Sequence, residues 1–187
     1  MKLRHIPAFA FTAMLMFAAC NPGASKNAAG QADNSGEVKE EQKADSAANE
    51  FKISFTMADI DGKQVNVTDE FAKHEITVVD FWASWCGPCR HEMPNLVRTY
   101  NTYKDKGLGI VGVSLDEDKE QWTNAVKEMG MAWTQLSDLQ GWHNSAAQMY
   151  GIQAIPFTII VDKNGRVLDA GLRGEALETF IANKLGQ

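Results

Sequence analysis

The sequence predicts an α/β fold organised on a parallel sheet, and three observations predict it. Apolar runs at Ile76 to Ala83, Leu108 to Leu115 and Phe157 to Val161 are nearly continuous, as in strands covered on both faces. Stretches of helical periodicity separate them, and alternation of strand with helix implies parallel crossovers. A Cys-x-x-Cys pair, Cys86 and Cys89, stands where the first of these runs gives way to a helix.

The chain has 187 residues, 44% apolar and 22% charged, ordinary values for a soluble globular protein with one sizeable core. Its formal charge of −6 offers no basic field for a phosphate backbone, so nucleic acid is not an expected partner. Cys20, Cys86 and Cys89 are the only cysteines, too few for a disulfide-stapled scaffold.

Residues 1–19 carry Lys2 and Arg4 and then an apolar run ending in small residues, the order of a secretory signal. Phe17-Ala18-Ala19-Cys20 resembles a bacterial lipoprotein box, in which Cys20 is lipidated and becomes the mature N-terminus. Residues 20–50 hold Val38 as the only large apolar side chain and read as a disordered tether. Thirty such residues average about 30 Å end to end and reach about 100 Å when stretched. These features predict a lipid-anchored protein of the bacterial cell envelope, with plain secretion or an uncleaved anchor as the alternatives.

A single domain, residues 51–187, follows. Phe51, Ile53, Phe55 and Met57 alternate with polar residues as a half-buried strand, Asp61-Gly62 turns the chain, and Val65 with Val67 supply the returning strand of a hairpin. Met93, Leu96, Val97, Tyr100 and Tyr103 recur at helical spacing after the cysteine pair, and Gly107 ends that segment. Asp118 with Gln121 marks the start of a helix whose inner face is Trp122, Ala125, Val126 and Met129. Ala132 to Leu136 is a weaker strand, and Asn144 caps a short helix ending near Gly151. Lys163-Asn164-Gly165 turns the chain from the Phe157 strand into a last strand, Val167 to Ala170. Leu177, Phe180, Ile181 and Leu185 place a closing helix on the sheet.

At the head of a helix the first sulfur of the pair lies beside unsatisfied N–H groups and the positive end of the helix dipole, which favour its thiolate. Cys86 is therefore the expected nucleophile, and Cys89 the resolving thiol that attacks the mixed disulfide. Pro88 is tolerated in a first helical turn and Gly87 lets a partner approach closely. Zinc needs about four ligands and the histidines show no metal spacing, so no metal is expected. Covalent haem attachment needs histidine directly after Cys89, where Arg90 stands. No cofactor is expected.

Asp80 interrupts an apolar strand six residues before Cys86, where a carboxylate is costly unless bonded or used. It is a candidate acceptor for the Cys89 proton. Glu92, three residues after Cys89 on the same helical face, is a second candidate. Pro94 lies inside the helix and should bend it. Trp85 is expected at the rim, touching the partner. Ile155-Pro156 precedes a strand and is a candidate for a cis bond.

The run from Val79 to Cys89, Val-Asp-Phe-Trp-Ala-Ser-Trp-Cys-Gly-Pro-Cys, with Pro94 and Ile155-Pro156 downstream, resembles thioredoxin from Phe51 onward. Arg90-His91-Glu92-Met93-Pro94, the opening hairpin, the extra helix and strand between Lys119 and Leu136, and the lipid signal resemble membrane-tethered TlpA/ResA-type thiol-disulfide oxidoreductases. That resemblance implies a thioredoxin fold with an N-terminal β-hairpin and a helix-strand insertion in the central crossover. It further implies a domain facing the periplasm with a Cys86–Cys89 dithiol-disulfide cycle and substrate laid against Ile155 and Pro156; Trp85, Gly87 and Pro88 are expected to complete the substrate wall, and the protein is expected to be a monomer. The family mostly reduces. The implied partners are oxidised protein thiols as substrates, among them those of cytochrome c maturation, and an upstream membrane thiol reductant. Some cytochrome-maturation members have no acid where Asp80 stands, which leaves open whether Asp80 or Glu92 accepts the proton. Two other functions compete. A thiol-dependent peroxidase would want threonine where Ala83 sits; a non-enzymatic binding lipoprotein would keep the disulfide as a structural link, although so short a loop constrains the unfolded chain little.

Overall fold

The computed structural model describes residues 51–186. The signal segment, Cys20 and the tether lie outside the described residues. A two-stranded antiparallel hairpin, β1 (Thr56–Ala58) and β2 (Gln64–Asn66), opens the domain, turning at Asp61-Gly62. Asp59 Oδ1 accepts from the N–H groups of Asp61 and Lys63, which closes the turn.

Two expectations for this region are corrected. Val67 is not a strand residue but opens α1 (Val67–Phe71), because Asn66 Oδ1 accepts from Thr68 N–H at 3.1 Å and so caps a helix. The alternation from Phe51 to Met57 is real on the core side, with Ile53, Phe55 and Met57 buried, but only its end pairs with β2. Its beginning bridges Lys52 to Arg166 instead, and Phe51 is exposed, edge-on to Tyr150.

The central sheet has the order β5-β4-β3-β6-β7. In sequence order these are β3 (Ile76–Trp82), β4 (Leu108–Ser114), β5 (Thr134–Leu136), β6 (Phe157–Asp162) and β7 (Val167–Ala170). Every residue of β3 and β4 is buried, as their apolar runs require. Helix α2 (Gly87–Tyr103) carries the chain from β3 to β4, and α3 (Lys119–Glu128) from β4 to β5; both pairings are parallel. The sheet is nevertheless mixed, because β6 pairs antiparallel with β3 and β7 antiparallel with β6. The segment from Ser137 to Pro156, with α4 (Ser145–Met149), makes no full crossover and starts β6 at the end where β3 finishes, pairing Phe157 with Phe81. The strand-helix alternation concealed this reversal.

The caps agree with the sequence. Asp118 Oδ1 accepts from Gln121 N–H at 2.9 Å, Asn144 Oδ1 accepts from Ala147 N–H at 3.0 Å, and Gly107 takes φ +102 after a 3₁₀ turn at Lys104–Lys106. Helix α2 continues through Pro94, and α5 (Gly174–Leu185) packs beside it. The architecture is thioredoxin-like, with the hairpin at its start and the α3–β5 insertion after β4.

Candidate active site

The buried strand β3 delivers the chain to the site and is pinned where it ends. Trp82 Nε1 donates to Gln135 Oε1 at 3.1 Å inside the core, and Leu115 N–H donates to the Trp82 carbonyl at 2.8 Å. Beyond Trp82 the chain leaves the sheet, and a buried acid takes over. Asp116 accepts from Ser84 N–H at 3.0 Å, from Ser84 Oγ at 2.5 Å and from Ser114 Oγ at 2.6 Å. Ser114 Oγ in turn accepts from Asp116 N–H at 3.0 Å. These bonds fix Ser84, two residues ahead of Cys86. Asp116 was not among the sequence candidates; the available signal was a carboxylate two places after a serine at the end of a buried strand.

Cys86 is the N-cap of α2. Its backbone is extended, and its Sγ accepts from Cys89 N–H at 3.1 Å, so an unsatisfied helix-start N–H points at the sulfur. Pro88 occupies the first turn, where no N–H is needed. A side chain at Gly87 would meet nothing within 4 Å, which leaves that face open to an approaching partner. Cys86 and Cys89 are joined by a disulfide with an S–S length of 2.03 Å and Cα atoms 5.2 Å apart. Both residues are buried, Cys89 the more deeply. Cys86 Sγ lies 3.8 Å from the Ile155 carbonyl oxygen, and the Ile155-Pro156 bond is cis.

Behind the disulfide, a cavity of about 10 Å³, on the scale of one water, is lined by Asp80, Cys89, Glu92, Pro156, Thr158 and Arg173 among others. Asp80 is 3% exposed and its Oδ2 has no hydrogen-bond partner. Burial, and after it the charge of Glu92, push its carboxyl from the ordinary 3.8 up to about 7. Glu92 is differently placed, for its Oε1 accepts from Gly174 N–H at 2.8 Å, the first residue of α5. The two carboxylates thus share a cavity, but one is free and the other holds a helix end.

The fold therefore gathers Cys86, Cys89, Asp80, Glu92, Ile155 and Pro156. Gly87 and Pro88 stand at the tip of α2, and Trp85 is exposed at the rim, in ring contact with Trp142. Trp142, on the 3₁₀ turn Gly141–His143, is a neighbour that periodicity could not bring to the site. Cys20 lies outside the described residues. Chemically, the arrangement can exchange a dithiol for a disulfide, with a proton acceptor of near-neutral affinity beside the inner sulfur.

Comparison with known proteins agrees with that chemistry. The profile of the Redoxin family matches residues 42–180. Thiol-disulfide oxidoreductase ResA of Bacillus thuringiensis is 30% identical over 122 residues, covering 65% of this chain and 67% of that one. Thiol:disulfide interchange protein HelX of Rhodobacter capsulatus is 36% identical over 125 residues, covering 66% and 67%. The crystal structure of the thioredoxin domain of a thiol-disulfide oxidoreductase from Bacteroides vulgatus superposes with a TM-score of 0.65 at 34% identity, over 72% of this chain and 94% of that domain.

Proposed function

The chain belongs to the Redoxin family and is a thiol-disulfide oxidoreductase, and from that premise we propose that it works as a reductant of protein disulfides on the periplasmic side of a membrane. One observation carries the reading: the Cys86–Cys89 disulfide heads a helix, and Cys89 shares a cavity with an unpartnered buried carboxyl.

In the reduced protein, the Cys86 thiolate attacks a substrate disulfide. One substrate sulfur leaves and takes a proton, and a mixed disulfide to Cys86 remains. Cys89 then gives its proton to a carboxylate and attacks Cys86 Sγ, releasing the second substrate thiol. Two electrons pass to the substrate, and the protein is left with the disulfide. Asp80 serves as the proton acceptor, because its Oδ2 is unengaged while Glu92 is bonded to Gly174 N–H. The substrate backbone lies against Trp85, Gly87, Pro88 and the Ile155-Pro156 segment, whose carbonyl borders the nucleophile. A membrane thiol reductant restores the dithiol.

The lipobox-like Phe17-Ala18-Ala19-Cys20 supports a lipid anchor at Cys20, with residues 20–50 as the tether of the domain from Phe51. Cytochrome c precursors are one substrate class that the TlpA/ResA resemblance offers and envelope proteins at large are the other; the acid at Asp80, absent from some cytochrome-maturation members, weighs against a cytochrome-specific role.

The full chain should reduce protein disulfides with a dithiol donor, and Cys86→Ser should abolish this. Equal rates for the two forms would end the proposal. In the native host, Cys89→Ala should trap substrates on Cys86 in the membrane fraction, and adding Cys20→Ser should release the adducts from that fraction. Trapped apocytochromes would support the cytochrome role, and a broad set of envelope proteins would replace it with general reduction.

A further inference from the structure

Beside the disulfide lies a groove that shares Trp85 with the substrate wall and extends beyond it to residues the thiol exchange does not use. Trp85 and Trp142 are 53% and 41% exposed, with ring centroids 6.4 Å apart and planes inclined at 54°. Large rings left open to solvent together are a contact signal rather than core packing. They wall a groove of about 340 Å³ whose lining also includes Asp116, Glu117 and Asp118 and no lysine, arginine or histidine.

The three carboxylates are not equivalent. Asp116 is occupied by Ser84 and Ser114, and Asp118 Oδ1 caps α3 by accepting from Gln121 N–H. Glu117 is exposed and makes no hydrogen bond or ion pair among the described residues. Its carboxylate stands against the turn that carries Trp142, because residue 141 has no side chain: a Cβ on Gly141 would lie 2.5 Å from Glu117 Oε1. Gly141 also has φ +56, a backbone that other residues resist. The backbone thus brings one unpaired negative charge to two exposed aromatic rings, one of which precedes the nucleophile directly.

We propose that this groove is a cation-selective docking subsite, taking a lysine or arginine side chain that flanks the reacting cysteine in the substrate polypeptide. The cation lies over the Trp85 and Trp142 rings with the Glu117 carboxylate beside it. Aromatic faces and a carboxylate complement a flat, weakly hydrated guanidinium best, so arginine is preferred to lysine. The inference rests on the reductase reading, since it is the sulfur reaching Cys86 that carries its neighbours past Trp85. Each residue of an extended substrate advances about 3.3–3.6 Å, which puts a long basic side chain within reach from a position next to the cysteine or one beyond.

The test uses two disulfide-closed peptides that differ only in arginine or glutamine beside one cysteine. Binding is measured by tryptophan fluorescence on the full chain carrying Cys86→Ser, and reduction as kcat/KM on the unaltered chain with a dithiol donor. The arginine peptide should be favoured about tenfold in both, and less at high salt. Glu117→Gln and Trp142→Leu should each bring that ratio to within about twofold of unity. Asp105→Asn, an exposed carboxylate in the 3₁₀ turn after α2, should leave the ratio unchanged. Equal binding of the two peptides, or a preference that survives both groove substitutions, overturns the subsite. Preferential binding without reduction would instead overturn the reductase reading and keep the subsite, while reduction of both peptides at one rate with equal binding would do the reverse.

Discussion

Asp80 carries an unbonded carboxylate oxygen in a place closed to solvent, and its pH response follows from that. Its carboxyl rises from 3.8 to about 7, first through burial and then through Glu92. Between those values the unfolded chain is ionised and the folded one keeps its proton. Unfolding therefore releases a proton, and stability falls as pH rises from about 4 to about 7. At roughly 1.4 kcal/mol per unit, the loss at high pH is at most on the order of 4 kcal/mol. Urea unfolding of the oxidised protein at pH 5 and pH 8.5 should show this decline, and Asp80→Asn should flatten it. An unchanged pH slope in the variant would refute the assignment. The same variant should slow release of the mixed disulfide by about 100-fold, more than Glu92→Gln does. Glu92→Gln keeps an oxygen to accept from Gly174 N–H but loses its charge, so it should lower the Asp80 pKa in a carbon-13 titration. Equal or reversed kinetic effects would transfer the proton to Glu92. Both acids were legible in the sequence, as an acid inside an apolar strand and as one a helical turn from Cys89. Their inequality was not, because it depends on Gly174, 82 residues from Glu92.

At the scale of elements, a carboxylate fastens the junction between β3 and α2. Asp116 bonds Ser84 from a neighbouring strand end and so sets where α2 begins. Asp116→Ala would leave the Ser84 N–H and two hydroxyls without their acceptor, at a cost of about 2–4 kcal/mol. Urea unfolding measures that loss, and a change below about 1 kcal/mol would mean that other contacts hold the loop. Disulfide exchange should slow with it, since Ser84, two residues before Cys86, loses its anchor. The strands, the principal helices and their caps were legible because periodicity and capping are local. Val67 was misassigned to a strand because one Asn66 cap decides between β2 and α1. The sense of β6 was hidden for a different reason: it depends on which end of the sheet the chain from β5 returns to, and no residue pattern records that.

For the whole molecule, the first described residues connect parts that are far apart in sequence. Ile53 N–H donates to the Gly165 carbonyl at 2.8 Å, and Val167 N–H donates to the Phe51 carbonyl at 3.0 Å, which ties this segment to the turn between β6 and β7. Gly165 has φ +76, and a Cβ there would lie 2.7 Å from the Ile53 carbonyl oxygen, so the close crossing requires glycine. Tyr150 extends the seam: its hydroxyl accepts from Ser54 N–H at 2.9 Å and donates to the Ser54 carbonyl at 3.0 Å. Ile53, 1% exposed, fills the core beneath. The alternation from Phe51 was thus a true sign of burial, but it suggested one continuous hairpin strand where the chain serves two partners. A domain begun at Phe55 should therefore keep its hairpin and its disulfide site yet lose about 3–5 kcal/mol against one begun at Phe51, most of it the buried Ile53 side chain and its hydrogen bonds. Ile53→Ala in the longer form should reproduce about half or more of that loss. Urea unfolding of the three forms decides the matter. Equal stability of the short and long forms would make the segment an ornament of the fold, whereas a loss reproduced by Ile53→Ala makes it the clamp that closes the β6–β7 end of the sheet.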